Sequence, residues 1–113
     1  MQDPMGYTQW VGFDLDGTLA HFDWDEWQKD SSHIGEPINN IKQLLLMYIS
    51  SGVEVRICTA RACDPKQTTI VKKWLKKNNL PALVVTNSKD YGMIRLYDDK
   101  AVQVEFNTGV LIE

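Results

Sequence analysis

Three apolar stretches of this chain each stop abruptly on a polar side chain, and helical patterns lie between them. Gln9-Trp10-Val11-Gly12-Phe13 runs into Asp14, Val53-Glu54-Val55-Arg56-Ile57-Cys58 into Thr59, and Ile94-Arg95-Leu96-Tyr97 into Asp98. Short runs rich in β-branched and aromatic residues predict strands. After the first run a helix should start near Pro37, a residue suited to the first helical position. Ile38, Ile41, Leu44, Leu45, Tyr48 and Ile49 recur at helical spacing, and Gly52 offers a stop. After the second run Asp64 reads as an N-cap with Pro65 behind it. Ile70, Val71, Trp74 and Leu75 form the buried stripe of a helix reaching about Asn78. Leu83 to Thr86 adds a short third strand, Ile94 to Asp98 a fourth, and Ala101 to Phe106 a fifth. Strands alternating with helices predict an α/β fold with a mostly parallel five-stranded sheet. In such a sheet the C-terminal strand ends share one edge, where ligands bind. Asp14, Thr59 and Asp98 are therefore expected to meet, although they are far apart in sequence.

That edge would be crowded with charge. Asp14, Asp16, Asp98 and Asp99 bring three or four carboxylates together, and these repel one another unless a cation sits among them. Hard oxygen donors without His or Cys suit Mg²⁺, which commonly takes substrate phosphate as a further ligand. A carboxylate can serve as a nucleophile toward phosphorus. The cation would offset the repulsion between that carboxylate and the phosphate.

Nothing in the composition opposes this. The chain has 113 residues, enough for one domain spanning 1–113 with its own core. Residues 1–5 contain two methionines, and Met5 is an alternative start. Net charge is −3, which does not favour nucleic acid or an anionic membrane as partner. No apolar run is long enough to span a bilayer, and residues 1–20 lack a secretion-signal pattern. Cys58 and Cys63 are expected to be reduced, so a cytoplasmic setting follows.

With these residues in view, a resemblance appears. Asp14-Leu15-Asp16-Gly17-Thr18-Leu19 resembles the first motif of the haloacid dehalogenase (HAD) superfamily. Ile57-Cys58-Thr59-Ala60-Arg61 resembles the second, Lys89 the third, and Leu96-Tyr97-Asp98-Asp99 the fourth. The motifs stand in family order across residues 9–99. The resemblance implies a Rossmannoid three-layer sandwich and a phosphatase. Asp14 would be the nucleophile, and Asp16 the general acid and then base, also binding Mg²⁺ through its backbone carbonyl. Thr59 with Ala60 and Arg61 would hold phosphate, as would Lys89, while Asp98 and Asp99 would complete the Mg²⁺ shell. It also implies a fourth strand lying beyond the first. At about 3.3–3.6 Å per extended residue, the link from Thr86 to Ile94 can just make that crossing but cannot hold a full helix. The position of Lys89 depends on that link, and Lys66 is an alternative.

The intervals between motifs leave no room for a cap domain, so the site would be open to small or macromolecular phosphorylated substrates, or covered by the second copy in a homodimer. Residues 20–36 read as a flap and loop. Its Phe22, Trp24 and Trp27 are expected to close the core rather than to stack on a base, since Trp is usually well buried. Lys72, Lys73, Lys76 and Lys77 read as a solvated helix face rather than a polynucleotide patch. Arg61 fits equally a bidentate grip on a substrate anion or a structural ion pair. Three rivals accompany phosphomonoester hydrolysis: phosphotransfer to another acceptor, nucleic-acid end processing, and a non-catalytic module that binds phosphate or Mg²⁺.

Overall fold

A computed structural model describes residues 1–113. Its centre is β1 (Trp10–Phe13), a strand with all four residues buried. Beside it run β2 (Glu54–Cys58), β3 (Val84–Thr86) and β4 (Met93–Tyr97), in the order β3-β2-β1-β4 with every pairing parallel. The register aligns the strand ends. Phe13 lies opposite both Ile57 and Tyr97, and Cys58 opposite Thr86. The backbone N–H of Asp14 then donates to Tyr97 O at 2.9 Å, and that of Thr59 to Thr86 O at 2.8 Å. The polar residues that stop the strands thus stand at one level on one edge.

The helices begin and end where local chemistry allows. In α3 (Pro65–Lys77) the Asp64 carboxylate accepts from Lys66 N at 2.9 Å, and Pro65 occupies the first turn. In α2 (Asn39–Ser50) the chain stops past Ser51 at Gly52, whose φ of +82° suits a residue without Cβ. This helix starts two residues later than Pro37, because Ala20 pairs with Pro37 in a short bridge and holds it extended. A single 3₁₀ turn, Ala60–Cys63, separates β2 from Asp64. No helix is long and apolar enough to cross a membrane.

Alternation along the strands sends Val11, Phe13, Val55, Ile57 and Val85 to one face of the sheet, where they meet Leu45 of α2 and Val71, Trp74 and Leu75 of α3. Tyr97 joins them, stacked 4.8 Å from Phe13 and sharing a 2.6 Å hydrogen bond with the Tyr48 hydroxyl. Both helices pack on this one face, so the molecule has two layers and not the expected three. The reason lies in the connections. The steps from β1 to β2 to β3 run in one direction, so right-handed crossovers put both helices on the same side. The return to β4 is made by residues 87–92, which form turns and no helix. The opposite face, with Trp10, Gly12, Arg56, Ile94 and Leu96, therefore has no helix over it. A polar network shelters Trp10 instead. Its Nε1 donates to Asp90 at 2.8 Å, and the Arg56 guanidinium stands 4.5 Å above its ring while pairing with Glu54 at 2.6 Å.

Three further expectations are corrected. The main sheet has four strands, not five. Of Ala101 to Phe106 only β5 (Gln103–Val104) is a strand, and it pairs antiparallel with β6 (Leu111–Ile112) in a separate hairpin. The flap is not all loop: it contains α1 (Trp24–Lys29), capped by the Asp23 carboxylate. This helix buries no residue. Trp24 is 63% exposed and Trp27 38%, so these rings do not close the core. Six residues with only two rings on one side offer no stripe that could reach it. The rings pack on each other at 5.7 Å, with Phe22 4.9 Å from Trp24.

Candidate metal centre

The turn that follows β1 builds the centre. Leu15 is fully buried and its carbonyl accepts from Thr18, Leu19 and Ala20, which curls the chain back on itself. Gly17 sits at φ +88°, and a Cβ there would lie 2.9 Å from the Asp99 carboxylate. The position therefore favours glycine twice, by conformation and by space. The buried Thr18 ties this turn to the residues after β4. Its Oγ1 donates to Asp99 Oδ1 at 2.9 Å and accepts from Asp99 N at 3.0 Å. Asp98 turns its own carboxylate back to Lys100 N at 2.8 Å.

The result is an acidic triad. One carboxylate oxygen each from Asp14, Asp98 and Asp99 lie within 4.8 Å of one another. Burial, then the neighbouring charge of Asp98, raise the Asp14 carboxyl from 3.8 to about 7, and its contact with Asp99 pushes the same way. For Asp99 burial acts upward, but hydrogen bonds from Thr18 and Asp14 outweigh it and hold the group below the usual carboxylate range. Protein donors satisfy Asp99, whereas nothing of positive charge satisfies Asp14. A cation among the three oxygens would relieve that repulsion, and an all-oxygen donor set fits a hard divalent ion. The triad is thus able to hold a metal ion.

The other predicted residues take distinct places. Thr59 is buried at the end of β2. Its Oγ1 accepts from Arg61 N at 3.2 Å, and its own hydrogen finds no acceptor in the chain. Ala60 opens the 3₁₀ turn beside it. Asp16 lies in the same turn as Asp14, but its carboxylate is not in the triad. Both its oxygens bond Arg61, at 2.7 and 3.0 Å. Of the two roles that fit Arg61, this contact is the structural ion pair. Lys89 is exposed, on the loop after β3, and forms no ion pair. Burial, then Asp14 and Asp98, push the Cys58 thiol upward, and Lys89 offsets part of that shift. Lys66 has no ion pair either. A shallow depression of about 320 Å³ borders Asp98 and Asp99 and is walled by Thr18, Ile38, Ile41 and Tyr97. A larger groove of about 450 Å³ lies between α3 and β3, lined by Leu75, Leu80, Pro81 and Val84, and touches none of the carboxylates.

Sequence reasoning left five contributors without a role. Thr18 and Gly17 stand inside the quoted first motif, so a donor beside a crowded acid was readable there. Arg61 is also held by the Gln67 side-chain oxygen and by the carbonyls of Ser31 and His33, and the carbonyls carry no sequence signal, since any residue supplies one. No protein-family model and no curated protein matches the chain.

Proposed function

We propose that the chain is a Mg²⁺-dependent phosphohydrolase of HAD type, acting on phosphomonoesters through an aspartyl-phosphate on Asp14. The observation that carries this reading is the triad of carboxylate oxygens within 4.8 Å at the C-terminal edge of a parallel sheet, with Thr59 and Asp16 flanking it. Burial first, and then the neighbouring carboxylates, raise the proton affinity of Asp14, and the second cause is one a cation would relieve.

The residues have these roles. Asp14, Asp98 and Asp99 would hold Mg²⁺ with the Asp16 carbonyl, and the ion supplies charge neutralisation for the anionic phosphate. An Asp14 oxygen attacks phosphorus while the bond to the leaving oxygen breaks, and Asp16, having first taken up a solvent proton on a lone pair that Arg61 leaves free, passes it to that oxygen. Asp16, now a carboxylate, takes a proton from water, whose oxygen attacks the aspartyl-phosphate and returns Asp14 with inorganic phosphate. The free Thr59 hydroxyl hydrogen and the Ala60 backbone meet the phosphoryl oxygens. Lys89, exposed on the loop after β3, would close on a bound phosphate, with Lys66 as its alternative. Either a small phosphomonoester or a phosphorylated macromolecule fits an uncapped edge.

A non-catalytic module that binds phosphate or Mg²⁺ is the second reading, and one observation favours it: the triad that could hold a cation is complete without the Asp16 carboxylate. Hydrolysis of an aryl phosphate with and without Mg²⁺, beside Asp14→Asn, separates the two. Mg²⁺-dependent release that Asp14→Asn abolishes is expected. Where no release is seen, beryllium fluoride trapping decides: a Mg²⁺-dependent adduct lost in Asp14→Asn retains the nucleophile, and its absence leaves the binding module.

A further inference from the structure

Arg61 is 8% exposed, and no other Lys or Arg of the chain is buried. A guanidinium has five N–H donors in a fixed planar fork. In Arg61 all five are used. Nε donates to Asp16 Oδ2 at 2.7 Å, and Nη2 to Asp16 Oδ1 at 3.0 Å. Nη2 also donates to His33 O at 2.7 Å, while Nη1 donates to Ser31 O at 2.9 Å and to Gln67 Oε1 at 2.8 Å. Gln67 Nε2 completes the ring by donating to Ser31 O at 3.2 Å. Four parts of the chain meet on this one side chain: the turn after β1, the flap, the 3₁₀ turn and α3.

Two consequences follow from donor counting. No N–H remains for a substrate anion, so gripping one would require breaking a bond to Asp16 or to a flap carbonyl. And because both Asp16 oxygens are held, its carboxylate cannot rotate while the flap carbonyls keep the guanidinium in place. A lysine could not reproduce this, since an ammonium is a point donor that cannot span two carboxylate oxygens and two carbonyls.

We propose that Arg61 is a positioning residue, which locks the Asp16 carboxylate and the Ser31–His33 part of the flap into one arrangement, so that Asp16 has its working orientation only while the flap is seated. The catalytic half rests on the phosphohydrolase reading; the coupling of flap to Asp16 rests on the hydrogen bonds alone. Two measurements on the full chain read the halves separately. In steady-state aryl phosphate hydrolysis at saturating Mg²⁺, Arg61→Lys and Arg61→Gln are each expected to lower kcat about tenfold or more with KM within about threefold. A raised KM at preserved kcat would make Arg61 a substrate-binding residue and overturn the proposal. In amide hydrogen exchange, Asp16→Ala is expected to speed exchange at residues 31–35 about tenfold, although no hydrogen bond joins Asp16 to them directly. Unchanged exchange there overturns the coupling whether or not the chain hydrolyses phosphate. Should the Arg61 variants not fold, Gln67→Ala, at a half-buried position of α3, serves instead. It is expected to shift both readouts in the same direction by about two- to fivefold, and movement in neither rejects the arrangement.

Discussion

A carboxyl group with a proton affinity near neutrality makes Asp14 the residue whose behaviour is easiest to check. Burial is the first cause, with Asp98 and Asp99 adding to it, and together they bring the group to about 7 in the metal-free protein. In the unfolded chain the same group titrates near 3.8. Between those values the folded state holds a proton that the unfolded state has lost. Stability therefore falls as pH rises through that window and levels off above about 7. Asn cannot ionise, so metal-free Asp14→Asn should be more stable than the parent at pH 8, with the gap closing toward pH 4. The expected gap at pH 8 is about 2 kcal/mol, roughly half the full conversion of 1.36 kcal/mol per unit, because the group keeps contact with solvent. Denaturant unfolding at both pH values in chelator checks this, and equal gaps would show an ordinary carboxyl. Adding Mg²⁺ should reverse the order at pH 8. Asp98→Asn should weaken Mg²⁺ binding about tenfold or more, whereas Asp16→Asn should slow turnover and leave Mg²⁺ affinity nearly intact. Unchanged affinity in Asp98→Asn would move the ligand to Asp99.

Among the elements, the turn after β1 carries the tightest constraint. Gly17→Ala meets a positive φ and the Asp99 carboxylate at once, and should destabilise the fold by about 1–3 kcal/mol. Mg²⁺ affinity should fall with it, because the clash moves a ligand; calorimetric titration beside a thermal melt tests the pair. In α2 only Leu45 is fully buried, so Leu45→Ala should remove about 2–5 kcal/mol by leaving a cavity between helix and sheet. Elements with a long apolar repeat were legible from residues alone. The stripe Ile70, Val71, Trp74 and Leu75 gave α3, with its Asp64 cap and Pro65 in place. By contrast α1 has six residues and no buried face, so only its Asp23 cap could have announced it. The rings of Trp24 and Trp27 were expected inside on the average behaviour of Trp, and the short helix gives them only each other and Phe22.

Over the whole molecule, one face of the sheet is covered by α2 and α3 and the other only by the Trp10, Arg56 and Asp90 network. The β5–β6 hairpin stands apart, with residues 99–113 all exposed. Ending the chain after Lys100 should therefore leave the melting temperature within about 2 °C, and a larger loss in a thermal scan would show that the hairpin does stabilise the core. The number of layers and strands was not legible because strand-like residues do not reveal which edge they join. Ala101 to Phe106 has the composition of a strand, yet Asp99 is pinned to Thr18 and sends the following chain away from β4. The sequence by itself determined the α/β class, the parallel edge and the meeting of Asp14, Thr59 and Asp98, because apolar periodicity and strand-terminal polar residues are local signals. Only the tertiary structure decided that Asp16 faces Arg61 rather than the acidic triad. Hydrogen-bond partners such as the carbonyls of Ser31 and His33 belong to the backbone, which every residue shares, so no residue pattern marks them.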